Sequence, residues 1–339
     1  MHLLSSIGPK EMELEEKFKI MDRKRRILVT GGHGFIGGNF IRFLKDNFPD
    51  SYIVNIDKNG YASNKDYIKG LCDEDIKLNL KDSLYLENVF LKHDKFDYIF
   101  HFAAESHVDN SISGPTEFVE SNVLGTQNLL ECYRKITPHA RFIHISTDEV
   151  YGHLTWNEDP FTEKTPIAPR SPYSASKASS DLLCLAYIET YNLDISITRC
   201  CNNYGPNQHK EKFLPTIINA LKDNKKIPVY GDGTNVREWM HVHDHTLAVW
   251  TVATRGKPGV YNIGSGNELS NLELVDMLCK IFNKDIDDCV KFVEDRLGHD
   301  FRYAIDNTKL KEELLWEPMY NNMYKELEEY VEYFLKNGR

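Results

Sequence analysis

None of the seven cysteines in this 339-residue chain (72, 132, 184, 200, 201, 279 and 289) forms a CxxC pair. Their number is odd and most lie in apolar runs, which reads as reduced core cysteines in a cytoplasmic protein and leaves no disulfide framework or zinc site. Long apolar runs are missing too: nothing approaches the roughly 20 residues that a membrane span needs. Basic charge is in deficit. With 41 Lys and Arg against 51 Asp and Glu the net charge is −10, which argues against nucleic acid or an anionic membrane surface as the main partner. An anionic small molecule remains compatible if a few basic groups and backbone N–H groups converge. There is no internal repeat and no low-complexity tract. The opening stretch, with "EMELEEKFKIMD", lacks a signal-peptide core and is too acidic for a transit peptide. Residues 1–23 are therefore read as an extension outside the fold.

What is present is an alternation. "RILVTGG", "YIVNID", "IKLNL", "FDYIFHFAA", "RFIHIS" and "DISITRCCN" read as strands. Between them "FIGGNFIRFLKDNF" and residues 116–136 and 173–192 carry apolar residues at helical spacing. Strands alternating with helices of this length predict right-handed βαβ units, so the fold class is α/β: a doubly wound parallel sheet over residues 24–200. After Asn202 the rhythm breaks at Pro206, Pro215 and Pro228 and at glycine-rich turns. Residues 201–339 are expected mainly to form a smaller substrate-binding lobe, with some segments returning to the first domain.

"ILVTGGHGFIGG" follows the first strand and opens a helix. Gly32, Gly34 and Gly37 fit GxGxxG, and Gly31, Gly34 and Gly37 fit its wider variant; either brings backbone N–H groups against a pyrophosphate at the positive end of the helix. Asp57 closes the next strand, 20 residues after Gly37. A carboxylate there binds both ribose hydroxyls and repels a 2′-phosphate, so NAD is predicted over NADP.

"HISTDEVYG" ends an apolar strand on Thr147, Asp148 and Glu149, where a solvated loop is the ordinary reason for two acids. "SPYSASK" places Tyr173 and Lys177 four apart at the start of a helix, on one face. An ammonium beside a phenol lowers its pKa, which lets a tyrosine act as a base toward a sugar hydroxyl. A YxxxK pair alone is usually surface charge; behind a dinucleotide fingerprint and a strand ending Ser146-Thr147 it becomes a catalytic candidate.

At these residues the chain resembles an extended short-chain dehydrogenase/reductase, and within that class the dTDP-glucose 4,6-dehydratases. The likeness runs from about Arg26 to Asn307 through "TGGHGFIGG", "DKNGYASN", "HFAAESHVDNSI", "STDEVYG", "YSASK", "RCCNNYGPNQ", "PVYGDGTNVREWMHVHDH" and "EDRLGHDFRYAID". The resemblance implies a cytoplasmic homodimer, paired through helices 116–136 and 173–192, that converts a nucleoside-diphosphate glucose to the 4-keto-6-deoxy sugar and water in deoxysugar synthesis. It leaves dTDP against UDP open. It makes Tyr173, with Thr147 and Lys177, the base at the C4 hydroxyl, Glu149 the base for the C5 proton and Asp148 the acid for the C6 oxygen. C4 oxidation comes first and acidifies the C5 proton. NAD is restored in each cycle.

The resemblance also implies the binding sets. For NAD these are Gly31, Gly34, Phe35, Ile36 and Gly37 in the turn, Asp57, Lys58 and Asn59 at the ribose, Asn79 near the adenine, and Leu80 and Ser121. Ala103, Ala104, Tyr173, Lys177 and Asn203 complete that set. For the sugar nucleotide they are Ser106, Thr147, Asn202, Lys212, Phe213, Pro228, Tyr230, Arg237, Asn267, Arg296 and His299, with Arg237 and Arg296 as pyrophosphate clamps. Two positions depart from the family pattern: Asn79 stands where Asp is usual, and Leu297 where a proline is common. The histidines of "MHVHDH" (241, 243, 245) resemble a metal cluster, but the family has a structural segment there, and no metal is expected. The competing outcomes on this scaffold are a 4-epimerase and a UDP-glucuronate decarboxylase; a non-catalytic NAD sensor has no need of all five catalytic residues.

Overall fold

Seven strands lie side by side in one parallel sheet in the computed structural model, which describes residues 24–295 and 298–338. They are β1 (Arg26–Thr30), β2 (Tyr52–Asp57), β3 (Glu74–Lys77), β4 (Tyr98–His101), β5 (Arg141–Thr147) and β6 (Ile195–Cys200). The seventh joins from far along the chain. After β7 (Asn202–Tyr204), β8 (Ile227–Tyr230) and β9 (Val236–His241), β10 (Gly259–Ile263) pairs with β6, giving the order β10-β6-β5-β4-β1-β2-β3. β5 and β6 are buried at every residue, because helices cover both faces of the sheet.

One face packs on helices Phe35–Asn47 and Val242–Arg255, where Trp250 meets Phe48 at 4.7 Å and Phe100 at 6.1 Å between ring centroids. The other packs on helices Ser83–Lys92, Gly125–Ile136 and Pro172–Tyr191 through Phe90, Leu129, Tyr133 and Cys184. A separate core around Leu214, Ile218, Leu274, Leu278, Leu327 and Phe334 holds the smaller lobe together. There β9 is central in a three-stranded sheet with β7 and β11 (Glu268–Ser270), and β12 (Val290–Val293) pairs with β8. Among the described residues no helix is long and apolar enough to cross a membrane.

Two elements differ from the sequence reading. The strand expected at "IKLNL" is β3, shifted back to Glu74–Lys77; it is an edge strand with three charged residues in four and alternating exposure, so its register follows pairing with β2 rather than its own apolar run. The helix expected over 116–136 is broken into an α-turn at Pro115–Phe118, a π-turn at Val119–Leu124 and an α-helix from Gly125 to Ile136. The widened turn sets Asn122, 1% exposed, under the site: its side chain exchanges hydrogen bonds with the backbone of Glu105 at 2.8 and 3.0 Å and donates to Ser176 Oγ at 2.8 Å. Residues 1–23, Arg296 and Leu297 lie outside the described residues.

Candidate active site

At the carboxyl ends of β1, β2, β4, β5 and β6 a cleft of about 560 Å³ opens between the sheet and the smaller lobe. Its floor is the glycine turn. Gly31 has φ +77, and a Cβ there would sit 2.6 Å from Ala103 N; a Cβ on Gly37 would sit 2.4 Å from the Gly31 carbonyl oxygen. The turn therefore admits only glycine at both places. Helix Phe35–Asn47 starts with no side chain on its N-cap and no acid in its first turn, so its leading N–H groups face the cleft uncompensated. Asp57 is buried at the end of β2 and accepts from the N–H of His33 (3.0 Å), the N–H of Asn59 (2.7 Å) and Ser63 Oγ (3.2 Å). Two buried polar atoms on the cleft wall, Ser146 Oγ and Asn203 Oδ1, have no partner in the protein. A turn that excludes side chains, an open helix N-terminus, a carboxylate and two unpartnered polar atoms fit a dinucleotide.

The catalytic candidates converge on the end of β5. Thr147 closes the strand and caps a single turn, Asp148–Tyr151, by accepting the Glu149 N–H at 3.4 Å. That turn sends the adjacent acids to different surroundings. Glu149 lines the cleft, whereas Asp148 is 1% exposed, takes a hydrogen bond from the Thr147 hydroxyl at 3.2 Å and leaves Oδ2 unpartnered. Burial, then the carboxylates of Glu149 and Glu238, push the Asp148 carboxyl well above the usual carboxylate range; Thr147 and Arg237 oppose this. The shift favours the protonated form of Asp148, the form a general acid needs.

Ser171 and Ser174 form a capping box, and Pro172 sits in the first turn, so helix Pro172–Tyr191 starts with Tyr173 facing the cleft and Lys177 one turn behind. Lys177 Nζ donates to the Ile145 carbonyl at 2.7 Å. Burial lowers the ammonium pKa, and Asp181, one turn further, counters that; Asp181 is in turn paired with Arg199 at 2.9 Å. The expected lowering of the phenol is not what the protein alone produces. Burial and then Glu149 raise Tyr173 well above 10, and Thr147 is the group that works the other way.

Of the residues read from sequence, Gly31, Gly34, Phe35, Ile36, Gly37, Asp57, Lys58, Ala103, Ala104, Ser106, Ser121, Thr147, Glu149, Tyr173 and Lys177 line this one cleft. So do Asn202, Asn203, Lys212, Phe213, Pro228, Tyr230, Arg237 and His299 from the other lobe. Five do not. Asp148 is behind the wall; Asn59 turns its Oδ1 to the His33 ring; Leu80 is buried in the core under helix Gly125–Ile136. Asn79 lines a shallow side pocket with Lys58 and Ser121, and Asn267 is tied by its backbone to Trp239 and to Ser265 at the edge of β9. Arg296 lies outside the described residues.

The sequence reading missed other wall residues. Tyr303, in the quoted "FRYAID", lies under Arg237 (guanidinium 4.4 Å from the ring centroid), and burial, then the Glu149 carboxylate, raises its phenol pKa. Glu211, beside Lys212, accepts from Tyr61 at 2.8 Å and faces His209 at 3.4 Å and His107 at 4.0 Å. Tyr303 stands inside a motif already noted and Glu211 three residues after another, but nothing in their spacing marks them. In "MHVHDH", His241 stacks on Tyr320 at 4.0 Å and caps the following helix. Among the described residues no group of three His, Cys, Asp or Glu is placed to hold a metal.

The parallel sheet, the glycine turn and the Thr–Tyr–Lys group beside it define an extended short-chain dehydrogenase/reductase. The GDP-mannose 4,6 dehydratase family profile matches residues 28–326, and the chain belongs to that family. It is 47% identical to low-salt glycan biosynthesis protein Agl12 of Haloferax volcanii, over 91% of this chain and 98% of that one. It is 42% identical to the dTDP-glucose 4,6-dehydratase of Neisseria meningitidis serogroup B, over 92% of this chain and 94% of that one. The crystal structure of dTDP-glucose 4,6-dehydratase from Bacillus anthracis in complex with NAD matches with a TM-score of 0.85 at 42% identity, covering 92% of this chain and 97% of that one.

Proposed function

We propose that this protein is an NAD-dependent, cytoplasmic dTDP-glucose 4,6-dehydratase acting in deoxysugar synthesis. One observation carries the reading: a buried acid, Asp148, and a cleft-lining carboxylate, Glu149, adjoin Tyr173 on one turn. A 4-epimerase needs oxidation and re-reduction at C4 only, and has no use for an acid and a base at C5 and C6. The family relation and the dTDP-glucose dehydratases among the relatives support the same choice.

NAD bound in the cleft supplies hydride acceptance at C4, hydride return at C6 and a positive charge on the oxidised ring. Gly31, Gly34, Gly37 and the helix start hold its pyrophosphate, and Asp57 its ribose. Tyr173, oriented by Thr147, moves the O4 proton. Glu149 removes the C5 proton once the C4 ketone has acidified it, and Asp148 protonates the departing O6. Lys212, Arg237 and His299 hold the sugar nucleotide from the smaller lobe. The test is incubation of the purified protein with dTDP-glucose and with UDP-glucose, followed by mass spectrometry. Loss of one water from dTDP-glucose is expected, faster than from UDP-glucose; a product of unchanged mass would overturn the dehydratase reading in favour of an epimerase.

Asp57→Ala removes a charged hydrogen-bond acceptor from the ribose, so NAD affinity should fall by about 10–100-fold while NADP binding improves, as read by calorimetry. Native NADP in the wild-type cleft would contradict the role given to that carboxylate. The chain is also expected to pair as a homodimer through helices Gly125–Ile136 and Pro172–Tyr191, where Leu182 is 54% exposed and Val119, on the preceding turn, 54%. Light scattering at micromolar concentration should give twice the chain's 39.3 kDa, and a monomer mass would refute the pairing.

A further inference from the structure

His33 occupies the position between Gly32 and Gly34 in the cofactor turn, yet its side chain does not line the cleft; it is 1% exposed and lies beneath the turn. Its Nδ1 is 2.6 Å from Asn59 Oδ1 and its Nε2 is 2.9 Å from Asp75 Oδ2. Its own backbone N–H donates to Asp57 Oδ2 at 3.0 Å, and its carbonyl accepts the Asn64 N–H at 2.7 Å. Asn55 completes the network, accepting the Gly32 N–H at 3.0 Å and donating to Asp75 Oδ1 at 2.9 Å. One imidazole thus joins the ends of β1, β2 and β3 directly under the residues that face the adenosine ribose.

The consequence runs through Asn59. This residue is left-handed, φ +60, and its N–H holds Asp57 Oδ1 at 2.7 Å. The position of Asn59 therefore sets the rotamer of the carboxylate, and the His33 ring sets the position of Asn59. β3 is a four-residue edge strand with two exposed positions, so it has little packing of its own to keep Asp75 in place. Without the ring, Asn59 Oδ1 and Asp75 Oδ2 face a gap that water enters, and Asn59, whose N–H holds Asp57 Oδ1, loses the contact that fixes it. Asp57 keeps the donors from the His33 backbone and Ser63 but loses a fixed Asn59, so it is held less firmly for the ribose.

We infer that His33 is the positioning residue for the ribose-binding carboxylate and so fixes how tightly the enzyme retains its NAD. This rests on the reading of the cleft as an NAD site. Its value lies in the reaction: a cofactor restored within each cycle gains nothing from leaving, and a carboxylate fixed from below keeps it bound.

The experiment compares wild type, His33→Ala, His33→Gln and Asp75→Ala. Co-purifying nucleotide is extracted and quantified, and calorimetry on stripped protein gives affinities for NAD, ADP-ribose and dTDP. His33→Ala should lose most of its co-purifying NAD and bind NAD and ADP-ribose about 10–100-fold more weakly, by the same factor for both, because the defect is at the adenosine end. Affinity for dTDP, held by the other lobe, should not move, and the kinetic loss should fall on KM for NAD rather than on kcat. His33→Gln, which keeps one of the two ring contacts, should lie between. Asp75→Ala, at an edge position with a side chain 43% exposed, should show the same pattern at smaller size if His33→Ala does not fold. Unchanged NAD affinity in the His33 and Asp75 variants, or an equal loss of NAD and dTDP binding, overturns the inference alone. A wild-type protein that binds no NAD overturns the cofactor reading beneath it.

Discussion

Asp148→Asn should cut steady-state turnover by about 10²–10⁴-fold, the usual weight of a general acid, while C4 oxidation still proceeds. The amide has the shape of the carboxyl and can keep the Thr147 contact of 3.2 Å, but it has no proton to give to O6. Rapid mixing should then show reduced cofactor accumulating at 340 nm, roughly the nicotinamide band, with no release of water. Glu149→Gln should instead abolish solvent-deuterium exchange at C5, since the cleft-facing base is gone.

The pH dependence has a definite sign. Burial beside Glu149 and Glu238 raises the Asp148 pKa, so the acid form is present below that raised value and elimination is lost as pH climbs through it. The same shift is a statement about stability. Asp148 titrates near about 3.9 in the unfolded chain, so its contribution is fully present below that pH and is lost as pH rises toward the folded value. Asn at this position does not ionise, and the variant should therefore melt above wild type at neutral pH, with the gap closing near pH 4. Unchanged turnover in both carboxylate variants would reduce the pair to loop charges and restore the epimerase.

Local chemistry made part of this site readable from sequence. The glycine turn needs glycine because a Cβ at Gly31 or Gly37 has nowhere to go, Asp57 follows because β2 is adjacent to β1, and Tyr173 and Lys177 share a face because a helix begins at Pro172. What was not readable depends on residues far apart in the chain. β10 is a five-residue strand that opens on Gly259 and is followed by Gly264, and only its pairing with β6 makes it part of the main sheet. Asp148 and Glu149 look equivalent side by side. They separate because β9 brings Glu238 and Arg237 close to the first, whereas the second stays on the cleft wall. The π-turn that aims Asn122 has no apolar signature, and His33 fills a motif position at which the fingerprint names no residue.

Tyr173→Phe should have an effect of similar size on a different step: no reduced cofactor forms at all, because the O4 proton has nowhere to go. The substitution removes one oxygen from a residue 8% exposed and leaves Lys177 on the Ile145 carbonyl, so folding and nucleotide binding should persist. In the protein alone burial and Glu149 hold the phenol protonated, and the Lys177 ammonium is itself weakened by burial, with Asp181 as its counter-charge. The fraction of Tyr173 able to act as a base therefore rises with pH, while the fraction of Asp148 able to act as an acid falls. Wild-type turnover should be bell-shaped, with apparent pKa values belonging to the coupled group rather than to either residue. Single-turnover oxidation monitored by cofactor absorbance isolates the rising limb. In Tyr173→Phe that limb should vanish, whereas in Asp148→Asn it should remain. Oxidation in the phenylalanine variant at the wild-type rate would show that another group moves the O4 proton, and Thr147, within the same hydroxyl pair, would be the next residue to replace.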